Sequence, residues 1–281
     1  MGAGCRPEIT LAITSEVSDT HHTTGQTAAM SAFPNALKTW RKARRLSQLD
    51  LAVEAEVSAR HISFLETGRA QPSRDMIGRL GDALQLPLTA RNQLLSQAGF
   101  AARYPSRHWD DTDMAPIRAA IEHMLERHAP FPGIALDRLW NLVRLNRPAK
   151  QLYAQLGLRE GDSLLDLMTS DVLPSLIENW AVVAHHTVQR LRTESAAQGG
   201  VPELDQAADM LSAGPTPIDQ AVGPVVPTIL RTPTMRLSLF GTIAQFGTPE
   251  DVALDDLKIE LFYPADDATH NALTTLAAAT G

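Results

Sequence analysis

Helical periodicity dominates residues 35–100. Apolar residues recur there at helical spacing in five short runs separated by turn residues. Ser47, Ser58 and Ser73 stand directly before three of these runs, where a serine side chain caps the first free backbone N–H groups of a helix. Asp50 follows Ser47 at the spacing of a short capping box. The pattern therefore predicts a compact, all-α bundle of five short helices.

Residues 101–114 carry turn formers and charges without a period, which is typical of a linker. Beyond them the pattern mixes strands and helices. The predicted strands cover 134–136, 140–145, 235–246 and 258–263, and the predicted helices cover 117–128, 148–156, 176–191, 204–211 and 267–279. Such a mixture without a regular β-α-β repeat indicates an α+β domain with an antiparallel sheet, here over residues 115–281.

The first 34 residues are rich in Thr, Ser, Gly and Ala and show no sustained period. We expect a disordered tail over residues 1–34, without the basic segment and apolar stretch of a secretory signal. Met30 stands just before the patterned segment, so translation from Met30 is an open alternative. His21 and His22 are too few for a metal site, which needs three or four converging ligands.

Charge separates the two predicted domains. The 281 residues contain 25 Lys and Arg against 32 Asp and Glu, for a net charge of −7. Residues 35–90 nevertheless hold nine basic residues against six acidic ones. The remaining acidic excess lies outside this block, so the two domains are expected to have different partners.

Composition also excludes several classes. A single cysteine rules out a disulfide framework or a Cys-rich zinc site. No apolar run reaches the ~18 residues of a membrane-spanning helix, so we expect a cytoplasmic protein with no membrane partner.

The most informative stretch, QLDLAVEAEVSARHISFLET, runs from Gln48 to Thr67. A small residue, Ala52, stands where two helices must cross, and Ser58 caps the second helix after a tight turn. The inner faces are apolar, at Leu51, Ala55, Val57, Ile62 and Leu65. The segment resembles the helix-turn-helix of the Cro/XRE type, the phage-repressor family of DNA-binding domains.

This resemblance gives roles to the second helix, whose first residues lie toward the base edges in the major groove. The candidate DNA-contacting residues are Gln48, Ser58, Ala59, Arg60, His61, Ser63 and Phe64. Arg60 either reads a guanine or contacts a phosphate without base preference. Phe64 either touches a thymine methyl group or packs on a neighbouring helix. The resemblance further implies that Arg41 pairs with Glu66 inside the bundle.

The chain departs from the family at Glu56, where the family prefers glycine. If the backbone is left-handed there, a non-glycine residue costs on the order of 1 kcal/mol.

Four further blocks extend the resemblance over about residues 36–278. They are RHISFLETGRAQPSRDMIGRLGDALQLPLTARNQLLSQAGFAARYP, LDRLWNLVRLN, ENWAVVAHHTVQRLR and FGTIAQFGTPEDVALDDLKIELFYPAD. They are similar to the MmyB-like transcription regulators, which couple a helix-turn-helix to a PAS-like ligand-binding domain. The resemblance implies a ligand-responsive regulator whose ligand is an acyl chain or a similar apolar molecule.

A PAS-like cavity needs apolar walls and a few polar anchors. Suitable wall residues are Trp140, Leu142, Trp180, Val183, Leu237, Leu239, Phe240 and Phe246. The candidate anchors for a carboxylate or carbonyl are Arg138, Arg144 and Asn179. The alternative is that the apolar residues form an ordinary core and that Asn179 merely caps or bridges helices.

Enzyme motifs are missing from the sequence: it has no Gly-rich phosphate loop, no G-x-S-x-G and no H-E-x-x-H. His185 and His186 are adjacent on a predicted helix and cannot share one face. We therefore predict no catalytic residue, no metal and no cofactor other than a bound fatty-acid-like molecule. An enzyme in which the loop 199–227 closes over an active site would need converging His, Asp or Glu residues, and the sequence offers no such group.

The sequence thus predicts a DNA-binding transcription regulator. Its expected partners are double-stranded operator DNA, a small apolar ligand and a second copy of the chain. In the alternative, the C-terminal domain is a protein-interaction or dimerisation module without a small-molecule ligand.

Overall fold

The computed structural model describes residues 21–214, 224–232 and 235–279, with side chains from residue 32 to residue 278. Its helices are α1 His21–Ala43, α2 Gln48–Glu54, α3 Ala59–Glu66, α4 Arg74–Ala83, α5 Leu88–Gln97, α6 Ala115–Arg127, α7 Arg147–Gln155, α8 Leu164–Met168, α9 Val172–Leu176, α10 Trp180–Ala197, α11 Pro202–Ser212, α12 Val252–Asp255 and α13 Asp267–Ala279. Its strands are β1 Gly133–Leu136, β2 Leu142–Leu145, β3 Thr228–Arg231, β4 Arg236–Ala244 and β5 Lys258–Pro264.

Local capping bonds define the ends of the bundle helices. The hydroxyl of Ser47 accepts from the backbone N–H of Asp50 at 3.1 Å, and the Asp50 carboxylate accepts from the Ser47 N–H at 2.8 Å. The hydroxyls of Ser58 and Ser73 accept from the backbone N–H groups of His61 and Met76 at the starts of α3 and α4, without the reciprocal carboxylate bond. These bonds satisfy backbone donors that have no partner within the helix, and they confirm the predicted capping pattern. The turn before α3 is left-handed at Glu56, with φ of 54°.

The first helix begins earlier than the sequence predicts. We expected residues 1–34 to be disordered, but α1 begins at His21. Phe33 is only 3% exposed and packs in the bundle core with Leu37 and Trp40. The spacing of these three residues is helical, so the apolar stripe of α1 extends back beyond Ala36. The predicted disorder of residues 1–20 lies outside the described residues, and translation from Met30 stays a prediction.

The buried face of α2 agrees with the inner face that the motif predicts. Leu51, Ala52 and Ala55 are buried, whereas the apolar side chains of Leu49 and Val53 are 64% and 68% exposed. Because α2 has only seven residues, hydrophobicity alone would not distinguish these two faces.

The second domain is built on a five-stranded antiparallel sheet with the order β2-β1-β5-β4-β3. On one face, the core joins strand residues to α7, α8, α10 and α11. On the other face, Ile121 and Leu125 of α6 pack against Ala135 and Ile259. The structure confirms a helical N-terminal region with a helix-turn-helix, followed by an α+β domain whose antiparallel sheet is consistent with a PAS-like fold.

The predicted helix over 176–191 is interrupted. Ile177 is extended and pairs with Leu230 of β3, so α9 ends before it and α10 begins at Trp180. Asn179 holds this junction: its Nδ2 donates to the carbonyl of Pro227 at 2.7 Å and its Oδ1 accepts from Ile229 N at 3.0 Å. Pairing with an edge strand, which helical periodicity does not report, therefore breaks the helix.

Candidate functional site

The helix-turn-helix is held together by one buried carboxylate. Glu66, in the last turn of α3, accepts from Arg41 Nε at 2.6 Å and from Arg41 Nη2 at 2.9 Å. Gln48, the first residue of α2, donates to the same carboxylate at 2.8 Å. Burial raises the pKa of Glu66, but the bonds from Arg41 and Gln48 outweigh it and hold the pKa below its ordinary value. The expected Arg41–Glu66 pair is therefore present, and it links α1, α2 and α3.

The opposite side of α3 is free of the core. Ile62 and Leu65 are fully buried, whereas Arg60 is exposed. The guanidinium of Arg60 lies over the Phe64 ring, 5.1 Å from its centroid. This stacking orders a long cationic side chain on the surface before DNA arrives. Among the other candidate DNA-contacting residues, Ser58 is exposed. The rest are partly exposed, namely Gln48, Ala59, His61 and Ser63.

A cavity of about 310 Å³ lies between the sheet and the helices that cover it. Its walls come from α7–α10 and from β3–β5 and are mostly apolar. The lining residues are Trp140, Leu152, Tyr153, Leu156, Leu164, Leu167, Met168, Leu173, Ile177, Val183, His186, Thr187, Arg190, Val226, Thr228, Leu230, Leu239, Gly241, Ile243, Glu260 and Phe262.

A network of buried and half-buried charges meets this cavity at Arg190 and Glu260. Arg190 donates to Glu194 at 2.8 Å through Nε and to Glu260 through Nη2. Glu194 also accepts from Lys258 and, at 2.8 Å, from the indole of Trp140. The Trp140 ring lies 4.4 Å from the Arg190 guanidinium. Two cations and two carboxylates therefore compensate one another, as buried charges require.

Tyr153 also lies in the wall. Burial, together with the negative charge of Glu260, raises the pKa of its hydroxyl above the ordinary value. The tyrosine is therefore neutral and offers a hydroxyl to the cavity.

Only part of the predicted ligand site lies at this cavity. Trp140, Val183 and Leu239 line it. Leu142 is buried in the adjacent core, and Trp180 is partly buried against the same core. Leu237 packs in a small cluster with Leu230, Leu239 and Leu273, beside the cavity.

The remaining aromatic candidates lie elsewhere. Phe240 stacks on Tyr263 with ring centroids 5.7 Å apart. Phe246 packs against the cluster on the α6 face of the sheet.

None of the three predicted polar anchors lines the main cavity. Arg138 borders a separate cavity of about 220 Å³. Arg144 lies over the ring of Trp109, at 4.8 Å, and faces Glu122 and Glu160. Asn179 bonds to the backbone of Pro227 and Ile229, and its side chain neither caps α10 nor bridges two helices.

The polar groups that do line the cavity were missed, chiefly Arg190, Glu260, Thr187 and His186. One signal was available in the sequence: Lys258 and Glu260 stand at alternate positions of an otherwise apolar strand. Such an alternation places two charges on one face of a sheet that the pattern otherwise buries.

The two domains are joined by hydrogen bonds to the start of α5. Pro87 precedes this helix and offers no side-chain cap. Instead, Asp255 accepts from the Leu88 N–H at 2.8 Å, and Asp256 accepts from the Thr89 hydroxyl at 3.2 Å. Burial raises the pKa of Asp256 to about 6, against the opposing charge of Arg138. The C-terminal domain thus supplies the cap of a helix in the N-terminal bundle.

Residues 21–214, 224–232 and 235–279 contain no helix that is long and apolar enough to cross a bilayer. They also contain no group of three or more His, Cys, Asp or Glu residues able to hold a metal ion.

A helix-turn-helix bundle joined to an α+β domain with a cavity beside its sheet is an architecture typical of DNA-binding transcription regulators. The model of the MmyB-like transcription regulator ligand binding domain matches residues 117–276, and a helix-turn-helix domain model matches residues 35–94. The first match covers more than half of the chain, which therefore belongs to the MmyB-like transcription regulators.

No curated protein matches the chain. A solved structure of an RNA-binding Light-Oxygen-Voltage Receptor is 11% identical, with 95% of this chain and 69% of that chain covered and a TM-score of 0.27. A likeness at that score bears on neither the fold nor the function.

Proposed function

We propose that this regulator binds operator DNA as a homodimer in the cytoplasm and that an apolar, acyl-type ligand in the 310 Å³ cavity changes its DNA affinity. The cavity is the observation that carries the proposal. Natural ligand sites enclose about 300–1,000 Å³ and combine apolar walls with a few placed polar groups. A dry, filled core would instead favour the alternative, a protein-interaction module.

Arg190 is the residue that binds the carboxylate end of the ligand in this proposal. Its Nε and Nη2 atoms donate to Glu194 and Glu260, and Nη1 is left as a donor toward a ligand carboxylate. The apolar residues beyond it suit the chain of a fatty acid. The neutral hydroxyl of Tyr153 supplies one further polar contact.

The ligand proposal is tested with decanoate as the probe and a variant that fills the cavity. Gly241 lies on the cavity side of β4, where an added Cβ would meet only Phe262, at an ordinary 3.6 Å. We expect Gly241→Leu to weaken decanoate binding at least about tenfold, measured by calorimetry, because its side chain occupies the volume that the ligand needs.

Thr242→Leu is the matched control, because successive strand residues point to opposite faces, and it should bind decanoate like the wild type. Native mass spectrometry of the purified chain, before and after denaturing extraction, is the companion measurement. If the wild type carries no extractable small molecule and does not bind decanoate, the proposed sensor function is wrong. That result favours the protein-interaction alternative.

The DNA-binding proposal is tested at Arg60, which is exposed on α3 and oriented by Phe64. A bidentate arginine–guanine contact contributes ~1–3 kcal/mol of discrimination. We therefore expect Arg60→Ala to lower the preference for a duplex selected from a random pool, over a scrambled duplex, by about 5- to 150-fold. Fluorescence anisotropy with both duplexes measures the ratio.

Arg159→Ala serves as the control, because Arg159 is exposed in the other domain. Equal weakening of Arg60→Ala on the selected and scrambled duplexes would assign Arg60 to a phosphate instead. Sedimentation on the selected duplex tests the homodimer in the same preparation. Binding of a single copy per operator would refute the dimer.

A further inference from the structure

Helix α10 extends from the ligand cavity to the DNA-binding bundle. Val183, His186, Thr187 and Arg190 of this helix line the cavity. The helix continues as one 18-residue element to Ala197. A packed α-helix is a stiff element with a rise of about 1.5 Å per residue, so a displacement at the cavity is carried to its far end.

The far end of α10 contacts α1. The carbonyl of Ala197 accepts from Arg44 Nη2 at 3.3 Å. Arg44 also donates to the carbonyls of Leu84 at 2.9 Å and Gln85 at 3.2 Å. The side chain of Arg44, the residue directly after α1, therefore connects the last residue of α10 to the backbone that follows α4.

Trp40 forms the apolar half of this contact. Its ring lies so close to Gly199 that a Cβ added there would overlap three ring atoms. Trp40 is buried in the core of the bundle, beside Leu37 and Phe33. The glycine backbone after α10 thus rests on a core residue of the DNA-binding domain, and only glycine permits that approach.

The charged network lies between the cavity and this contact. Arg190 and Glu194 occupy successive turns of α10 and bond to each other. Glu194 holds α10 to the sheet through Lys258 and Trp140. A ligand that engages Arg190 therefore acts on the same residues that fix α10 relative to the sheet.

We propose that the surface formed by Trp40, Arg44, Ala197 and Gly199 transmits cavity occupancy to the DNA-binding bundle. This inference rests on the proposed function, whose regulation it names. A ligand shifts the protein only by its difference in affinity for two arrangements. Here the two arrangements differ in the position at which the end of α10 contacts α1. Because α1 is linked to α3, they also differ in the orientation of α3 toward DNA.

The test compares two neighbouring glycines. Both Gly199 and Gly200 have positive φ, at 85° and 100°. An alanine at position 199 meets the Trp40 ring, whereas nothing lies within 4 Å of a Cβ at position 200. Gly199→Ala and Gly200→Ala therefore share the backbone strain and differ in the contact with Trp40.

The measured quantity is the coupling factor, the ratio of the duplex dissociation constants with and without saturating decanoate. Linkage requires decanoate affinity to change by the same factor when the selected duplex is bound. Wild type and Gly200→Ala are expected to show a factor of about 5–150, the usual range. Gly199→Ala is expected to bind each ligand while its coupling factor falls toward about one.

Arg44→Gln provides a second variant, because it removes the bond to Ala197, together with those to Leu84 and Gln85, without adding bulk. It is expected to lower the coupling factor as well. If Gly199→Ala and Arg44→Gln both retain the wild-type factor, this inference is overturned while the proposed function stands. If the wild type fails to bind decanoate or duplex, the proposed function fails and the inference fails with it.

Discussion

Replacing Glu66 with alanine is expected to lower the free energy of unfolding of the DNA-binding bundle by about 3–5 kcal/mol. Glu66 is buried and accepts from both Arg41 and Gln48. Its removal leaves the Arg41 guanidinium in the bundle without its counter-charge, and an unpaired buried charge is costly. Urea unfolding of the full chain, followed by circular dichroism at helical wavelengths, measures the effect.

Glu54→Ala is the matched control, because Glu54 is exposed on the adjacent helix α2. Its effect should stay within about 0.5 kcal/mol. A double variant, Arg41→Met with Glu66→Leu, should lower the free energy of unfolding less than Glu66→Ala does, because neither charge remains in the bundle. A loss below about 1 kcal/mol in Glu66→Ala would show that the pair does not stabilise the bundle.

The pH dependence of this effect follows from the lowered pKa of Glu66. A carboxyl group whose folded pKa lies below its unfolded value of 4.5 stabilises the native state above pH 4.5. That stabilisation is lost as the pH falls through the folded pKa. The difference between the wild type and Glu66→Ala should therefore be full at neutral pH and shrink in acid.

Replacing Glu194 with alanine is expected to destabilise the ligand-binding domain by a similar amount, about 3–5 kcal/mol. Its carboxylate accepts from Arg190, Lys258 and the indole of Trp140. Without it, two cations share the single charge of Glu260. Near-ultraviolet circular dichroism during urea unfolding follows the aromatic packing around Trp140 and measures the effect.

Glu203→Ala, at an exposed position of α11, is the comparison variant and should change stability little. Glu194→Gln keeps the shape of the side chain and one acceptor while removing the charge, so its loss should be smaller. If Glu194→Ala unfolds at the same urea concentration as Glu203→Ala, the network makes no net contribution to stability.

The sequence predicted the DNA-binding half well because its signals are local. Ser47 with Asp50, Ser58 and Ser73 each cap a helix that begins at the next residue, and these contacts span three positions. A glutamate at the left-handed turn, Glu56, was also recognisable from the motif alone. Even the distant Arg41–Glu66 pair was implied by the family resemblance.

The ligand cavity was harder to predict because its polar groups come from distant parts of the chain. Arg190 and Glu260 are 70 positions apart, and no periodicity in either segment shows that they meet. Arg138 lies in the turn of the predicted hairpin and Arg144 in its second strand, and both looked suitable. Arg138 instead borders a separate cavity, and Arg144 lies over Trp109. The edge strand β3 stands next to a proline-rich stretch, and the pattern did not predict it. Its pairing with Ile177 interrupts a segment that helical periodicity predicted as one continuous helix.

The cap that Asp255 supplies to α5 has a consequence for the modularity of the chain. The last helix of the DNA-binding bundle obtains its N-terminal acceptor from a residue that lies 167 positions later. The two halves are therefore not exchangeable units that a linker merely connects. A chimaera that joins this bundle to another sensor would need an acceptor at the same place, or its fifth helix would begin with unsatisfied N–H groups.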